Sequence, residues 1–570
     1  MPETAPSSSG LLDLYRRHYA FLIRAGLVLA VWFGASARAA HDVWAASVEF
    51  AWATALACAF LAGRMADGRP IRLPLLAPAA AFLAAVALSF RGAYDRNTTL
   101  LETWIWIFSF LLTLLFVNVV EDETQLDRVL SACAVSLVPL AVRFGSWLAP
   151  GSELHKAQVM SNLRLQLAVV GLLLAAFYSA LYFIVRVVEK KDSRWTRAAF
   201  LAALACHIGI LLFTQRTIMV ETEAPLINDN VLVGFALCWF FVLWEKVFER
   251  PAWLAVFAPC CFILMAERSW LAYVAILAGF LVYQRDFFWE AARRHRKLFA
   301  AAAAAAAALF SVIVGVKASQ HVPTVLGVSR VLWWRAAARA FWSSPWTGVG
   351  AGGFATAYPF FKAGRVDGTL HAHSFYFQLL VETGAAGFLT AAFLAWRYVR
   401  SLAAGGRSGA QRRAVAATLA AILLFASIHI NLEYFLNKLV LLLLLAALLT
   451  GREAPARRIK PLFLGAAAAG LLLAIPYWLA LYSSSALFVS GREALASGDR
   501  AKAEALFRDA LSVDPTNADS DFALASIASE KFRESGSPEA LAEARSRLQD
   551  GLRQRRDYAV ITRLAAPGRP

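Results

Sequence analysis

Charged side chains are scarce in this sequence, and their scarcity decides the class of protein. Only 17% of the 570 residues are Asp, Glu, Lys or Arg, while 59% are hydrophobic, and the mean hydropathy is +0.56. A soluble protein usually has about 25% charged residues. Here the apolar residues come in blocks of ~17–23, the length that crosses a hydrocarbon core of ~30 Å. The composition therefore excludes an ordinary soluble protein and predicts a polytopic, all-α membrane protein.

Cysteines in a pairing or metal-binding pattern are also missing. The six cysteines all lie inside apolar blocks and none has CxxC spacing, so they are interpreted as small core residues. A cleavage site is missing too, because none follows the apolar run near 21–36. We therefore expect residues 1–20 to be a disordered cytoplasmic N-terminus that leads into a retained first span.

Acidic residues are outnumbered by basic ones, 39 against 56, which gives a net charge of +17. Such an excess can indicate nucleic-acid binding, but here the basic residues gather in short loops between apolar blocks. These loops alternate with loops poor in Lys and Arg, which is the pattern of cytoplasmic loops in membrane proteins. The charge therefore predicts topology and contact with anionic membrane lipids, and no nucleic-acid partner.

The apolar blocks predict a membrane domain over residues 21–483 with about 12–15 helices. Fifteen blocks are delimited by charged residues, near 21–36, 43–63, 74–90, 101–120, 129–149, 165–188, 198–214, 230–247, 252–266, 270–283, 298–316, 375–395, 414–429, 434–450 and 461–483.

The basic loops also predict the orientation of the chain. If the loops 284–297, 396–413 and 451–460 are cytoplasmic, the long loop 317–374 faces the other side of the membrane, and so does everything after the last span. The long loop contains several arginines, but long loops escape the charge rule.

Residues 484–570 have a different composition, rich in Ala, Glu, Arg, Asp and Leu with helical periodicity. The segment Ala494–Asn517 resembles a tetratricopeptide helix pair, with small residues, Phe507 and Pro515 at the positions of that repeat. A generic Ala-rich helical hairpin is the alternative. In both cases we expect a packing or partner-binding module without catalytic residues, on the same side of the membrane as the long loop.

Arg268 lies in the short turn between the apolar blocks 252–266 and 270–283, next to Glu267. A charge at the membrane boundary is costly unless it has a partner, so such a residue is a candidate functional residue. The alternatives are an ion pair with Glu267 or a side chain that extends to the lipid headgroups.

Arginine and tryptophan are concentrated at the start of the long loop, from Arg330 to Trp342. Arg335 and Arg339 are four residues apart and share one face of a helix. The tryptophans, among them Trp334, suit a helix at the membrane interface, and the guanidinium fork can bind two phosphate oxygens at once. The segment therefore predicts a phosphate-binding helix, with an amphipathic helix that only adheres to headgroups as the alternative.

The glycine cluster in Ser344–Phe354 lacks the Lys-Ser/Thr ending of a P-loop. It predicts a tight turn and not a nucleotide site.

Two histidines, His371 and His373, follow where the loop enters the block 375–395. A histidine at a water-exposed mouth can accept a proton from a hydroxyl nucleophile; a histidine without a role is the alternative. No set of cysteines or carboxylates completes a metal site nearby, so we expect no metal and no cofactor. Glu382 lies within the membrane part of the following helix and is expected to be structural.

Together these segments resemble the O-antigen ligase and polymerase superfamily, in order and approximate spacing, over residues ~225–390. The residues that carry the resemblance are Arg268-Ser269-Trp270, Arg330 with Trp333 and Trp334, the turn Pro345–Gly350, His373-Ser374, Glu382, Gly384 and Gly387, with Asn228-Asp229-Asn230 before a span. Departures from the pattern are Glu267 before the arginine, Ala372 and Ser374 around the histidine, and Phe377 in place of a leucine.

The resemblance implies transfer of a glycan from a polyprenyl-diphosphate carrier at the periplasmic face of the bacterial inner membrane. It implies His373, rather than His371, as the essential histidine. It also implies that Arg268 and Arg330 stabilise the leaving diphosphate in place of a metal. The other expected site residues are Arg335, Arg339, His371, Trp334 and Asn230 as substrate contacts, and Glu382 and Gly384 as structural residues.

The acceptor stays open between lipid A core, a growing polysaccharide and a protein hydroxyl. The C-terminal tail favours a protein acceptor or a protein partner. A polysaccharide or lipid transporter is the alternative from another class; it should have internal repeats and broken helices with polar residues at mid-membrane, which this sequence does not show.

Overall fold

A computed structural model describes residues 8–37, 43–148, 229–267, 269–297, 300, 304, 328–362, 369–403, 409–450 and 455–556. The described residues are almost all helical, which confirms the all-α polytopic class. In chain order the elements are α1 (Ser8–Ser36), α2 (Val43–Asp67), β1 (Ile71–Arg72), α3 (Leu76–Leu88), α4 (Arg96–Val119), α5 (Glu123–Ala134), α6 (Leu137–Leu148), α7 (Asp229–Glu249), α8 (Leu254–Ala266), α9 (Trp270–Tyr283), α10 (Arg285–Arg294), α11 (Val328–Ser343), α12 (Phe354–Phe361), α13 (Phe375–Ala403), α14 (Ala410–Phe425), α15 (Phe435–Ala447), β2 (Ala456–Arg457), α16 (Pro461–Ala496), α17 (Arg500–Val513), α18 (Ala518–Ser535) and α19 (Pro538–Gln554).

Seven helices in the described part of the chain are long and apolar enough to cross a membrane, or eight if the bent pair α9 and α10 is one span. The seven are Leu14–Ser36, Ala45–Asp67, Arg96–Val119, Glu123–Phe144, Asn230–Glu249, Phe375–Arg400 and Pro461–Ala496. The expected spans 165–188 and 198–214, and all but two residues of 298–316, lie outside the described residues. The expected number of 12–15 membrane helices therefore stays a prediction.

The chain forms two compact units. The first comprises residues 1–121, 330–402 and 451–570, and the second comprises residues 122–329 and 403–450. The five cysteines among the described residues are free.

One end of the first unit is basic, because two short strands bring distant loops together. β1 pairs antiparallel with β2, with Arg72 opposite Ala456. Asn118, near the end of α4, joins them: its side chain accepts from the Arg72 amide at 2.8 Å and donates to the Arg72 carbonyl at 2.9 Å. Its own carbonyl accepts from the buried Arg64 guanidinium at 2.8 Å. The basic segments around 64–72 and 455–460 thus share one end of the unit.

The other end of α4 carries the long loop and the C-terminal tail. The amide of Tyr94, just before α4, donates to the Val349 carbonyl at 3.0 Å, and the Tyr94 carbonyl accepts from the Arg556 amide at 2.7 Å. The 24 residues of α4 rise ~36 Å at 1.5 Å per residue. One membrane thickness therefore separates the basic strands from the loop.

The tail is a helical module of α17, α18 and α19. Phe507 of α17 is buried, and a Cβ on Gly491 of α16 would lie 2.6 Å from its ring. The small residue at 491 thus allows α17 to pack closely on the end of α16. The tetratricopeptide character of this module stays a prediction.

The second unit is built around α7, whose residues from Val231 to Leu243 are buried. Phe280 of α9 meets Phe241 of α7 edge-on, with ring centroids 4.9 Å apart. The helical structure is interrupted between α14 and α15. Near the start of α15, Asn437 Nδ2 donates to the Val231 carbonyl at 3.1 Å. This bond ties the start of α15 to the first turn of α7.

Candidate active site

Helix α11 buries one face in the first unit and exposes the opposite one. Ala336, Ala337 and Ala340 are buried, and they pack with Phe354 and Tyr358 of α12. Arg335 and Arg339 lie on the exposed face. The face shared by the two arginines, expected from their spacing, is thus turned away from the helix's buried face.

Trp333 and Trp334 of α11 hold the segment His371–His373, the histidine turn, against that helix. The Trp333 ring stacks on the His373 imidazole, with centroids 4.4 Å apart and an interplanar angle of 22°. Trp334 Nε1 donates to the Ala372 carbonyl at 2.9 Å, and its ring stacks on Phe377 at 5.4 Å. The tryptophans therefore fix both the backbone before His373 and the plane of its ring.

The backbone on both sides of His373 is fixed by one glutamine. His373 has a left-handed conformation, with φ 51°, which histidine adopts more readily than most residues. Gln378 Oε1 accepts from the Ala372 amide at 2.6 Å, while the Gln378 amide donates to the Ser374 carbonyl at 2.8 Å. Gln378 is a positioning residue that the sequence analysis missed. Its signal is spacing, because Ser374, Gln378 and Glu382 are four residues apart on one helix face.

The imidazole of His373 is neutral at pH 7. Burial, and secondarily the positive charge of Arg330, lower the pKa of His373 to about 4. Burial also lowers the pKa of Arg330. His373 Nδ1, Arg330 Nε and Trp333 Nε1 are buried and have no hydrogen-bond partner among the described residues. Three polar groups without a protein partner thus lie together at the histidine turn, which suits a polar ligand.

A break in α13 docks the glycine turn against the helix. Gly384 has φ 64° and ψ −170°, so the helical bonds from 385 to 381 and from 386 to 382 are not made. Instead the carbonyls of Val381 and Glu382 accept from the amides of Val349 and Gly350 at 3.0 and 3.1 Å.

The exchange is reciprocal, because the amides released by the break also find partners in the turn. The Ala385 and Ala386 amides donate to the carbonyls of Pro345 and Trp346 at 2.8 and 3.4 Å. The turn expected over 344–354 is therefore a backbone clamp on α13.

Two glycines make the clamp sterically possible. A Cβ on Gly348, whose φ is 71°, would lie 2.3 Å from the Glu382 carbonyl oxygen, and a Cβ on Gly384 would lie 2.4 Å from the Trp346 carbonyl. No side chain fits at either contact.

Glu382 links the clamp to the histidine turn. Its buried carboxylate accepts from Gln378 Nε2 at 2.6 Å and from the Phe354 amide at the start of α12 at 3.3 Å. Gln378 in turn holds the backbone before His373. The structural role expected for Glu382 and Gly384 stays a prediction.

Arg339 and His371 form hydrogen bonds of their own within the first unit. Arg339 Nη1 donates to the Phe361 carbonyl at 3.3 Å. The His371 amide donates to Thr369 Oγ1 at 3.3 Å. Asn230 lies at the start of α7 in the second unit, and Arg268 lies outside the described residues. Of the expected residues, the structure brings Arg330, Trp334 and His373 together.

Among the described residues, no group of three or more His, Cys, Asp or Glu side chains could hold a metal ion. The independence from metal expected from the sequence stays a prediction.

Comparison with known proteins identifies the segment that contains this site. Residues 253–392 match the O-antigen ligase family. No curated protein and no solved structure matches the chain. The matched segment includes Arg268, Arg330, His373 and Gly384, and leaves out Asn230 and the tail. Residues 253–392 are thus similar to the O-antigen ligase family, which confirms the superfamily resemblance of the motifs and supports, in general terms, a membrane enzyme of glycan transfer.

Proposed function

We propose that the protein transfers a glycan from a polyprenyl-diphosphate carrier to an acceptor hydroxyl, without a metal ion, at the periplasmic face of the bacterial inner membrane. The observation that carries the proposal is the juxtaposition of Arg330 with a neutral His373. A cation and a proton acceptor at one loop are the two groups that transfer from a glycosyl diphosphate needs.

Arg330 binds the diphosphate of the donor. Its guanidinium is partly desolvated, which costs free energy, and its Nε has no partner among the described residues. A diphosphate offers several anionic oxygens to the guanidinium fork. Binding the donor therefore recovers part of that cost and prepares a positive charge where negative charge develops.

His373 accepts the proton of the acceptor hydroxyl. The hydroxyl oxygen bonds to the anomeric carbon while the bond from that carbon to the diphosphate oxygen breaks. The electron pair of the broken bond stays on the polyprenyl diphosphate, beside Arg330 and, on the family resemblance, Arg268. The proton passes to the free nitrogen lone pair of the His373 ring and leaves from there to water.

The distribution of charge in the first unit supports the periplasmic assignment. The segments around 64–72 and 455–460 are basic and are paired through β1 and β2, and basic segments stay in the cytoplasm. The long loop and the tail lie at the other end of α4. With the basic end in the cytoplasm, His373 faces the periplasm.

Deleting the gene separates the three acceptors. Loss of glycan from lipopolysaccharide identifies a ligase, loss of long secreted polymer identifies a polymerase, and loss of glycan from proteins identifies an O-oligosaccharyltransferase. Accumulation of the lipid-linked glycan is expected in all three cases. Normal lipid-linked glycan and normal products in the deletion strain would contradict the proposal.

The purified protein in nanodiscs, supplied with a polyprenyl-diphosphate glycan, tests the mechanism. Arg330→Ala should lower transfer by about 100- to 1,000-fold, as for removal of one preorganised group that stabilises developing charge. Arg457→Ala, which removes an exposed arginine in β2 at the opposite, basic end of the first unit, is the control and should keep most activity. Transfer should persist in excess EDTA; an EDTA-dependent loss that Mg²⁺ restores would refute metal independence.

A further inference from the structure

A cavity of about 690 Å³ lies between α1, α2 and α16 in the first unit. Its volume is in the range of small-molecule sites. Its lining is almost wholly apolar and aromatic, and includes Trp32, Trp52, Trp478 and Tyr482 with one carboxylate, Glu49. No residue of α11, α12 or α13 lines it, so it is separate from the candidate active site.

Glu49 is 1% exposed, and neither of its carboxylate oxygens has a hydrogen-bond partner among the described residues. A carboxylate buried in apolar surroundings is costly unless it meets a cation or a hydrogen-bond donor. Within a membrane segment such a group is a candidate functional residue.

The aromatic rings around Glu49 are held rigidly. Trp52 Nε1 donates to the Gly26 carbonyl at 2.9 Å. Trp478 is 1% exposed and meets Phe50 edge-on at 4.9 Å. Fixed aromatic faces beside a carboxylate make a site for an organic cation, which the negative ring faces attract.

The cavity lies at headgroup depth. Glu49 is four residues from the start of the span Ala45–Asp67, about 6 Å along the helix axis. Leu29 and Leu479 line the same cavity and are each 55% exposed. The cavity therefore offers a polar group near the membrane surface and an apolar wall facing the acyl chains.

The hydrogen-bonding groups select the class of cation. Both Glu49 oxygens need donors, which a primary ammonium has and a quaternary ammonium lacks. Trp478 Nε1 also has no partner among the described residues, and a phosphate oxygen can accept from it. A sugar would need many more polar partners than this lining provides.

We propose that this cavity binds a phospholipid with a primary amine headgroup, with Glu49 as the counter-ion of the ammonium and the tryptophans as its aromatic cage. The site is independent of the transfer reaction, so it is tested by binding and stability alone.

The test uses the full-length protein in nanodiscs with a phosphatidylglycerol background. Addition of phosphatidylethanolamine should raise the melting temperature and leave this lipid bound in native mass spectrometry. Phosphatidylcholine and soluble glycerophosphoethanolamine should do neither. Equal stabilisation by the choline lipid would refute the primary amine, and equal stabilisation by the soluble headgroup would refute the lipid. These arms need no variant.

Glu49→Gln should weaken retention of phosphatidylethanolamine by about tenfold, the scale of one charge-assisted hydrogen bond. Glu121→Gln is the matched control, because it removes the same charge from an exposed carboxylate that pairs with Arg69. Unchanged retention in Glu49→Gln would overturn the proposal. A second pair of results would also overturn it: the wild type shows no lipid preference, and Glu49→Gln is more stable than the wild type. Glu49 would then be a protonated group with no ammonium ligand.

Discussion

His373 is held in a conformation that its own backbone disfavours. A non-glycine residue with φ 51° costs about 1–3 kcal/mol and persists only where its surroundings fix it. Here Trp334 and Gln378 bind the preceding residue, and Trp333 stacks on the ring. The backbone of His371, two residues upstream, bonds to Thr369. These contacts fix the position of His373, and the choice of His373 over His371, which the family resemblance implies, stays a prediction.

His373→Ala should therefore lower transfer by about 100- to 10,000-fold, the range for loss of a general base. His371→Ala is the matched control, two residues upstream, and should retain most activity. Both variants are compared with wild type in nanodiscs by the rate of glycan transfer. The opposite ranking would move the proton acceptor to His371.

The pH dependence of transfer should report the environment of His373. Its pKa is lowered to about 4, first by burial and then by Arg330, so the neutral form persists well below the ordinary value of 6.5. In kcat/KM, which reports the free enzyme, activity should fall only as the pH drops towards 4. In Arg330→Gln the loss of activity should begin at a higher pH than in the wild type. It should still begin below 6.5, since burial continues to lower the pKa of His373. A wild-type limb at 6.5 would contradict the buried, neutral histidine.

The stability of the fold should also fall at low pH because of His373. A histidine with a depressed pKa in the folded state contributes stability that is fully present above 6.5, the unfolded value, and that is lost as the pH falls through about 4. His373→Gln should flatten this part of the profile of melting temperature against pH. An unchanged profile would mean that other groups govern acid unfolding.

At the scale of elements, the break in α13 explains why two glycine motifs about 35 residues apart belong together. The helix gives up two of its own hydrogen bonds at Gly384, and the turn before α12 supplies four in exchange. Backbone that is irregular within a membrane helix is tolerated where it is buried in protein. The break thus anchors the loop that carries Arg330 to the helix that follows His373.

Gly384→Ala should disrupt this anchor. The added Cβ would lie 2.4 Å from the Trp346 carbonyl at a φ of 64°, which costs about 2–4 kcal/mol from strain and overlap together. We expect a lower melting temperature and transfer reduced at least about tenfold. Gly470→Ala is the control, because no atom lies within 4 Å of its Cβ position. Equal behaviour of the two variants would mean that the clamp is not needed.

How far the sequence predicts these elements depends on where their determinants lie. The helix expected at 43–63 is Val43–Asp67, and the helix expected from Arg330 to Trp342 is Val328–Ser343, because apolar periodicity and helix-forming residues are local. The segment that packs against Gly384 is far away in the sequence. The break at Gly384 is stabilised because the amides after it donate to the carbonyls of Pro345 and Trp346. The spacing of the motifs therefore predicts a turn but not the clamp.

The length of the spans is a second limit of sequence reasoning. The apolar block near 252–266 forms a helix of 13 residues, which covers only ~20 Å of a ~30 Å core. The block near 434–450 likewise gives 13 helical residues, after a break that Asn437 bridges. Hydropathy identifies apolar blocks, but tertiary contacts decide where each helix begins and ends.

At the scale of the whole molecule, the tail reaches the loop that holds the site. The backbones of Arg555 and Asp95 pair as an isolated antiparallel β-bridge, in which the Arg556 amide donates to the Tyr94 carbonyl. The Arg556 guanidinium lies 4.8 Å from the centre of the Tyr94 ring. The Tyr94 amide in turn donates to Val349 in the glycine turn. The last described residues of the chain thus brace the turn that clamps α13, all within the first unit.

Two truncations isolate this brace. A chain that ends at Arg556 keeps these contacts, whereas a chain that ends at Arg555 loses the hydrogen bond and the cation–π contact of Arg556 and keeps the ion pair of Arg555 with Asp519 at 2.7 Å. Each is worth about 0.5–1.5 kcal/mol, so the shorter chain should transfer glycan about five- to tenfold more slowly, and the longer one at nearly the wild-type rate. Hydrogen exchange at the amides of Tyr94, Val349 and Gly350 should rise only in the shorter chain. Faster exchange with unchanged transfer would make the brace purely structural, and equal exchange in both chains would show that the tail does not support the turn.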